Sequence, residues 1–169
     1  MVNPKETLPT FLQIDSVIVS PTNSNIHGSV SHKITDVWVY WNRELLGAYQ
    51  LPAKVPILAE KSGEVEIISG IWENGLSGTR SRYPFYTVFS TKIAPSPTKP
   101  IDLIPTFTYR ADSNTSTNYI IEDFEQGNNF QSFNADTSFI KTNISNEVFE
   151  GSWSSALYLT ANKRTGASI

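Results

Sequence analysis

Ile34-Thr35-Asp36-Val37-Trp38-Val39-Tyr40-Trp41 is the most apolar stretch that alternates: Val37, Val39 and Trp41 face one way, Trp38 and Tyr40 the other. A period of two is the repeat of a β-strand, whose successive side chains leave opposite faces. Apolar groups on both faces predict a central strand with cover on each side. Asn42-Arg43-Glu44 then turns the chain back into residues 45–51, completing a hairpin.

The same period extends in both directions. Upstream, residues 11–19 form one predicted strand, with Leu12, Ile14 and Ile18 on one face and Phe11, Val17 and Val19 on the other. Pro21-Thr22-Asn23-Ser24-Asn25 marks a turn. Downstream, Pro52 and Pro56 confine residues 55–58 to an edge or bulged strand, because proline has no amide proton to give to a ladder. Residues 64–69 follow, with Val65 and Ile67 sharing a face, and then a long loop over 70–84. Residues 85–93 place Phe85, Phe89 and Ile93 on one face and Tyr86 and Val88 on the other. A stiff connector, Pro95-Ser96-Pro97-Thr98-Lys99-Pro100, leads to a last strand over 101–109 that Pro105 interrupts. About seven short strands separated by turn signals are the pattern of a β-sandwich. No window of comparable length keeps a helical i, i+3, i+4 stripe, so helix content should be low. Val37, Val39, Trp41, Ile67, Phe85 and Phe89 are the predicted core.

These readings divide the 169 residues into a tail (1–10), a sandwich domain (11–110), a linker (111–118) and an incomplete second β domain (119–169). The linker is polar and turn-rich. Short strand candidates follow it at 119–125, 139–142, 147–149 and 156–160. About fifty residues are too few for an independent β-sandwich, so this domain is expected to continue past Ile169 or to dock on the first.

Composition agrees with an all-β chain. Hydrophobic residues make up 39% and aromatic residues 12%, enough for a packed core. Charged residues make up only 17%, and Ser, Thr and Asn take their place, as suits pleated surfaces and turns rather than helices. A net charge of −3 gives no electrostatic reason to bind nucleic acid or an anionic membrane. Without cysteine, disulfides, zinc thiolates, iron–sulfur clusters and thiol nucleophiles are excluded. No apolar run reaches the roughly 18–20 residues that span a bilayer. The first residues lack a signal-peptide pattern, so export would require a signal already removed ahead of Met1.

Val37-Trp-Val-Tyr-Trp-Asn42, Leu46-Gly47, Leu51-Pro52-Ala53 and Gly63-Glu-Val-Glu-Ile67 resemble the PEGA-like and carboxypeptidase-regulatory-like sandwich domains, an Ig-like architecture. Residues 8–110 resemble uncharacterised surface lipoproteins of Bacteroidetes-type bacteria more closely. The matching pieces are Leu8-Pro-Thr-Phe-Leu-Gln-Ile-Asp15, Gly28-Ser29, Ile34-Thr-Asp-Val-Trp-Val39, Gly70-Ile71, Asn74-Gly75, Thr79-Arg80 and Tyr83-Pro-Phe-Tyr86. Tyr119-Ile-Ile-Glu-Asp-Phe-Glu125 resembles the first strand of jelly-roll, carbohydrate-binding-like domains, and residues 152–160 a later one. The resemblance implies a seven-stranded sandwich, the start of a jelly roll, and a lipid anchor on a cysteine ahead of residue 1. It implies no activity for particular residues.

Four groups of residues invite a chemical reading. His27 and His32 would need a third ligand, Asp15 or Asp36, to hold a metal; exposed turn histidines are the plainer reading. A Ser-His-Asp triad has no Gly-x-Ser-x-Gly elbow to support it. Asp112, Asn114, Ser116, Asn118 and Asp123 have the ligand spacing of a calcium loop, but Thr117 stands where its sharp turn needs glycine. A solvated linker is preferred, with a calcium site at Glu122, Asp123 or Glu125 left open. Glu64 and Glu66 read as strand-face charges. The 70–84 loop is the candidate binding site, because Trp72, Arg80, Arg82 and Tyr83 are hot-spot residue types in a long loop. Its plainer reading is a plug, with Trp72 sealing the sandwich end and the arginines paired locally.

The functional expectation is a non-catalytic cell-surface binding or scaffold protein, an outer-membrane lipoprotein or secreted, that recognises a protein or glycan partner without a cofactor or metal. The alternatives are an accessory part of a larger exported polysaccharide-degrading enzyme, or an accessory subunit of an outer-membrane secretion or gliding assembly.

Overall fold

A computed structural model describes residues 6–23, 27–110, 122–130 and 136–164. The chain divides into two compact units, Met1–Thr117 and Asn118–Ile169. The expected 111–118 linker, the calcium-like loop up to Asn118, and the first part of the 119–125 strand lie outside the described residues.

The first unit is built from β1 (Thr10–Ile14), β2 (Ile18–Val19), β3 (Asp36–Trp41), β4 (Glu44–Gln50), β5 (Ala53–Ile57), β6 (Gly63–Trp72), β7 (Arg80–Arg82), β8 (Phe89–Ile93), β9 (Ile101–Asp102) and β10 (Thr106–Phe107). The protein is all-β, and a short 3₁₀ turn, Glu73–Gly75, interrupts its strands. One sheet runs β4-β3-β6, and the far edge of β6 is shared end to end by β7 and β8. The other runs β5-β1-β9, with β2 and β10 continuing β1 and β9 as a parallel pair. Leu12, Ile14, Val17, Val19, Val55, Ile57 and Phe107 from one sheet meet Val37, Val39, Val65, Ile67 and Ile93 from the other in a single buried cluster. This is a two-sheet sandwich.

The deciding hairpin forms as expected. Asn42 and Arg43 take left-handed φ values of 48° and 70°, the conformation of the tight turns whose twist matches that of the flanking strands. Asn42 is held in addition by Glu64, whose amide donates to Asn42 Oδ1 at 2.9 Å. Val37 and Val39 are fully buried and Trp41 packs at their end, its ring so close to Gly63 that a Cβ there would lie 2.4 Å from Trp41 Cζ2. β5 is an edge strand, and Pro56 points outward from it.

Four expectations need correction. Residues 11–19 are two strands, because the break at 15–17 holds one residue too many for the alternation to continue. Val17 and Val19 therefore join Leu12 and Ile14 inside, and Ile18 is 49% exposed. Residues 85–93 are a strand only from Phe89; Tyr86 is buried, where it bridges to Tyr109, and Phe85 is 40% exposed rather than core. Residues 70–84 are not a loop throughout, since Gly70, Ile71 and Trp72 extend β6 and pair with Arg82, Ser81 and Arg80 of β7. The second face of β3 is not fully buried: Trp38 and Tyr40 are half-buried, with Arg82 set against both.

In the second unit, β11 (Ile140–Thr142) pairs antiparallel with β12 (Ser154–Ala156). The expected strand at 147–149 is absent, its place taken by a turn. The described part of 119–125 is also not a strand; it is shaped by carboxylates that accept backbone amides. Glu122 accepts from Phe124 and Asn129 at 2.9 Å each, and Glu125 Oε1 from Ser152 at 2.7 Å and Trp153 at 3.0 Å. Gly151, at φ 75°, leaves room for that contact.

Candidate functional site

The register of the larger sheet decides which side chains share its outer face. β3 sends Val37, Val39 and Trp41 inward, so Asp36, Trp38 and Tyr40 point outward. Opposite them on β6 are Gly70, Ile68 and Glu66, with Trp72 one step beyond. Gly70 pairs with Arg82 and Trp72 with Arg80, so both arginines of β7 lie on the same face. Gln50 of β4 stands beside Asp36. One end of this face thus collects Trp38, Tyr40, Trp72, Arg80, Arg82 and Gln50.

Asp36 anchors the group. It is fully buried, a costly place for a carboxylate unless it is paired. Thr35 Oγ1 donates to Asp36 Oδ2 at 2.6 Å, and Arg80 Nε lies 3.0 Å from Asp36 Oδ1. That second contact is an ion pair in distance without hydrogen-bond alignment, since both atoms lack a directed partner. Arg80 also reaches Gln50 Oε1 with Nη2 at 3.4 Å. Gly70 makes the crossing possible: a Cβ at this position would sit 3.1 Å from Asp36 Cβ and 3.2 Å from Trp38 Cδ1. Glycine is favoured here by close approach, since a Cβ would push its neighbours back by a few tenths of an ångström.

Arg82 is placed differently. Its Nη1 donates to the Tyr40 hydroxyl at 3.2 Å, and its guanidinium carbon is 5.8 Å from the centroid of the Trp38 ring. It is exposed and forms no ion pair with a described residue. Trp38, Tyr40 and Trp72 are half-buried, and the indole N–H groups of both tryptophans lack a hydrogen-bond partner. The cluster therefore presents flat ring surface and one unneutralised guanidinium.

Three of the four candidate residues, Trp72, Arg80 and Arg82, are brought together on the sheet face rather than at a loop tip. Tyr83 is not with them. Its ring packs on the core beside Tyr86 and Phe85, with centroids 4.6 and 5.5 Å away. Tyr86 and Tyr109 continue this packing, and Tyr109 stacks on His27 at 4.6 Å. Burial pushes the Tyr86 phenol well above its ordinary pKa, and the Tyr109 hydroxyl adds to the shift. Trp38 and Tyr40 were missed by the sequence reading, although an outward strand face bearing Trp and Tyr instead of Ser and Thr was a visible signal.

The other candidates separate. His27 meets Thr22 and Tyr109, whereas His32 Nδ1 accepts from the Ile34 amide at 3.4 Å. Asp36 is committed to Arg80, and Glu64 accepts from Ser90 Oγ at 2.6 Å. Asp123 accepts from the Glu125 amide at 3.0 Å, so each of the three carboxylates left open for calcium binds backbone amides. Among the described residues no three His, Asp or Glu side chains form a metal-ligand set. The second unit carries an open surface groove of about 420 Å³ lined by Asn143, Ser145, Val148, Phe149, Glu150, Gly151 and Ser152, with Phe149 85% exposed. No family model matches the chain, and neither a curated protein nor a solved structure is significantly similar to it.

Proposed function

We propose that the protein is a non-catalytic binding module of a cell surface, an outer-membrane lipoprotein or a secreted protein. Its recognition surface is the outer face formed by Trp38, Tyr40, Trp72 and Arg82. The observation that carries the reading is the placement of three aromatic side chains and a guanidinium on the solvent side of a sheet whose other side supplies the core. A sheet's solvent face is ordinarily polar, so rings concentrated there point to contact with something other than water. A scaffold role without this surface would have no use for the arrangement.

The test is a glycan array and a pull-down from outer-membrane extract with the whole chain, its Trp72→Ala variant and its Arg82→Ala variant. Trp72 is half-buried, so its loss should cost about 1–2 kcal/mol, below the range for a fully buried aromatic. Both variants should stay folded at room temperature and lose association. Unchanged association in both would refute the assignment.

The groove beside Phe149 supports a second reading, an accessory carbohydrate-binding unit of a larger exported polysaccharide-degrading enzyme. Sugar binding lost in Phe149→Ala and kept in Trp72→Ala would favour it. Service in a secretion or gliding assembly rests on no feature of this surface.

A further inference from the structure

Asn74-Gly75 lies in the turn that joins β6 to β7, and nowhere else in the chain does glycine follow asparagine. The pairing has a chemistry of its own. A backbone nitrogen can attack the side-chain amide of a preceding asparagine, and glycine hinders that attack least. It has no Cβ beside its nitrogen and takes a wide range of φ. A folded chain usually prevents the reaction by holding the amide or the backbone in place.

Little holds this one. Asn74 and Gly75 are both exposed. The turn is fastened through their neighbours instead: the Glu73 amide donates to the Thr79 carbonyl at 2.8 Å and the Leu76 amide to the Glu73 carbonyl at 3.0 Å. Thr79 Oγ1 donates to the Glu73 and Leu76 carbonyls at 3.1 and 3.2 Å, and Ser81 Oγ to Glu73 Oε1. The Asn74 side chain joins none of these bonds. Asn74 has φ 53° and ψ 24°, and Gly75 has φ 72°. This left-handed region is not the lowest conformation of asparagine, so the residue itself does not resist rotating out of it. Apart from its chain neighbours, nothing lies within 4 Å of where a Cβ on Gly75 would stand, so the Gly75 nitrogen has room to swing towards Asn74 Cγ.

We propose that Asn74 is a site of spontaneous modification, converted through a cyclic imide into a mixture of aspartate and isoaspartate. The Gly75 nitrogen loses its proton and bonds to Asn74 Cγ; the bond from Cγ to Nδ2 breaks, and ammonia leaves with that proton. Water then opens the ring. Cleavage at Cγ leaves an aspartate on an unaltered backbone. Cleavage at the main-chain carbonyl routes the backbone through Cβ and Cγ and lengthens it by a methylene. Either product adds a negative charge next to Glu73, just past Trp72, the last residue of β6 that pairs with β7.

The test is incubation of the whole chain in warm, mildly alkaline buffer, with samples taken over days. Tryptic peptides are weighed by mass spectrometry and offered to a protein isoaspartyl methyltransferase. The peptide from Ser62 to Arg80 contains no other asparagine and no glutamine, so its mass change reports Asn74 alone. We expect it to convert at least fivefold faster than any other asparagine-containing peptide, and to accept methyl groups. Asn74→Gly, which suits a φ of 53°, should melt with the unsubstituted chain and accept no methyl groups on this peptide. A peptide that stays intact in the folded chain but converts in urea would overturn the proposal, because the turn would then be shielding it. Conversion without methyl acceptance would overturn the imide route in favour of direct hydrolysis. A second asparagine converting as fast would overturn the part given to this turn.

Discussion

Arg80 and Arg82 are two positions apart on one strand, and their removal should have consequences of very different size. Arg80→Ala takes the counter-charge from Asp36, and because the Arg80 side chain is 31% exposed the cost should lie at or below the lower end of the roughly 3–5 kcal/mol of a fully buried pair. Arg82→Ala removes an exposed group and should change stability by less than about 1 kcal/mol. Urea denaturation of both variants checks the ordering, and a larger loss in Arg82→Ala would contradict the buried role given to Arg80. Asp36→Asn should fall between them, since the Arg80 side chain is 31% exposed and can turn to water. The sequence allowed for paired arginines in this stretch but did not show Asp36 as the partner. Asp36 and Arg80 lie far apart along the chain, and only the pairing of β3, β6 and β7 brings them within reach. The core is the contrasting case: Val37 and Val39 could be assigned at once, because the alternation around them fixes a face. Val39→Asp should cost several kcal/mol by burying an unpaired charge, and a small shift in its urea midpoint would mean the register is wrong.

At the scale of elements, strands were legible where side chains alternate and illegible where the backbone alone pairs. β7 is Arg-Ser-Arg, with no apolar residue to mark a period, yet it closes a hairpin on β6. The chain returns through a 3₁₀ turn in which Asn74 and Gly75 hold φ values of 53° and 72°. Ser81 Oγ donates to Glu73 Oε1, and Thr79 Oγ1 to the Glu73 carbonyl at 3.1 Å, so polar contacts secure what an apolar pattern does elsewhere. A second element with polar fastening is the β11–β12 pair. Glu147 Oε2 accepts from Tyr158 at 2.7 Å and from Thr142 at 2.8 Å. The Tyr158 bond is the larger cause, and together the two hold the Glu147 carboxyl below the usual carboxylate range. A depressed folded pKa gives stability that is present above the unfolded value and lost as pH falls through the folded one. The Tyr158 phenol is raised, chiefly by the same bond, so its contribution is present below its unfolded pKa and lost as pH rises through the folded one. Amide protection around 140–142 and 154–156, measured against the intrinsic exchange rate at each pH, should therefore fall at both extremes of pH. In Glu147→Gln the acid limb should disappear, and an acid limb that persists would assign it to another carboxylate.

At the scale of the whole molecule, the two units differ in what holds them together. Every buried apolar side chain among the described residues belongs to the first unit, the last of them being Phe107. In the second, the buried residues are Thr137 and Thr142, while Ile140, Ile144, Phe149, Leu157, Tyr158 and Leu159 are exposed. The all-β class was legible for the chain as a whole, since a period of two needs only local pattern. Polar fastening in the second unit was not, because Glu122 and Glu125 read as ordinary charges until their amide partners are known. Hydrogen bonds exchanged with water contribute only about 0.5–1.5 kcal/mol each, and ordering a residue costs about as much. Among the described residues of the second unit no apolar side chain is fully buried, so it has little packing to offset its conformational entropy. We predict that a fragment of residues 1–117 unfolds on heating in one cooperative transition, followed by near-ultraviolet circular dichroism through Trp38, Trp41 and Trp72. A fragment of residues 118–169 should show no such transition and should expose its amides to rapid exchange. A sharp melt in the second fragment would mean that the Glu122 and Glu125 carboxylates, with the Phe124, Phe130 and Phe139 rings packed at 6.2 and 5.3 Å, suffice as a core on their own.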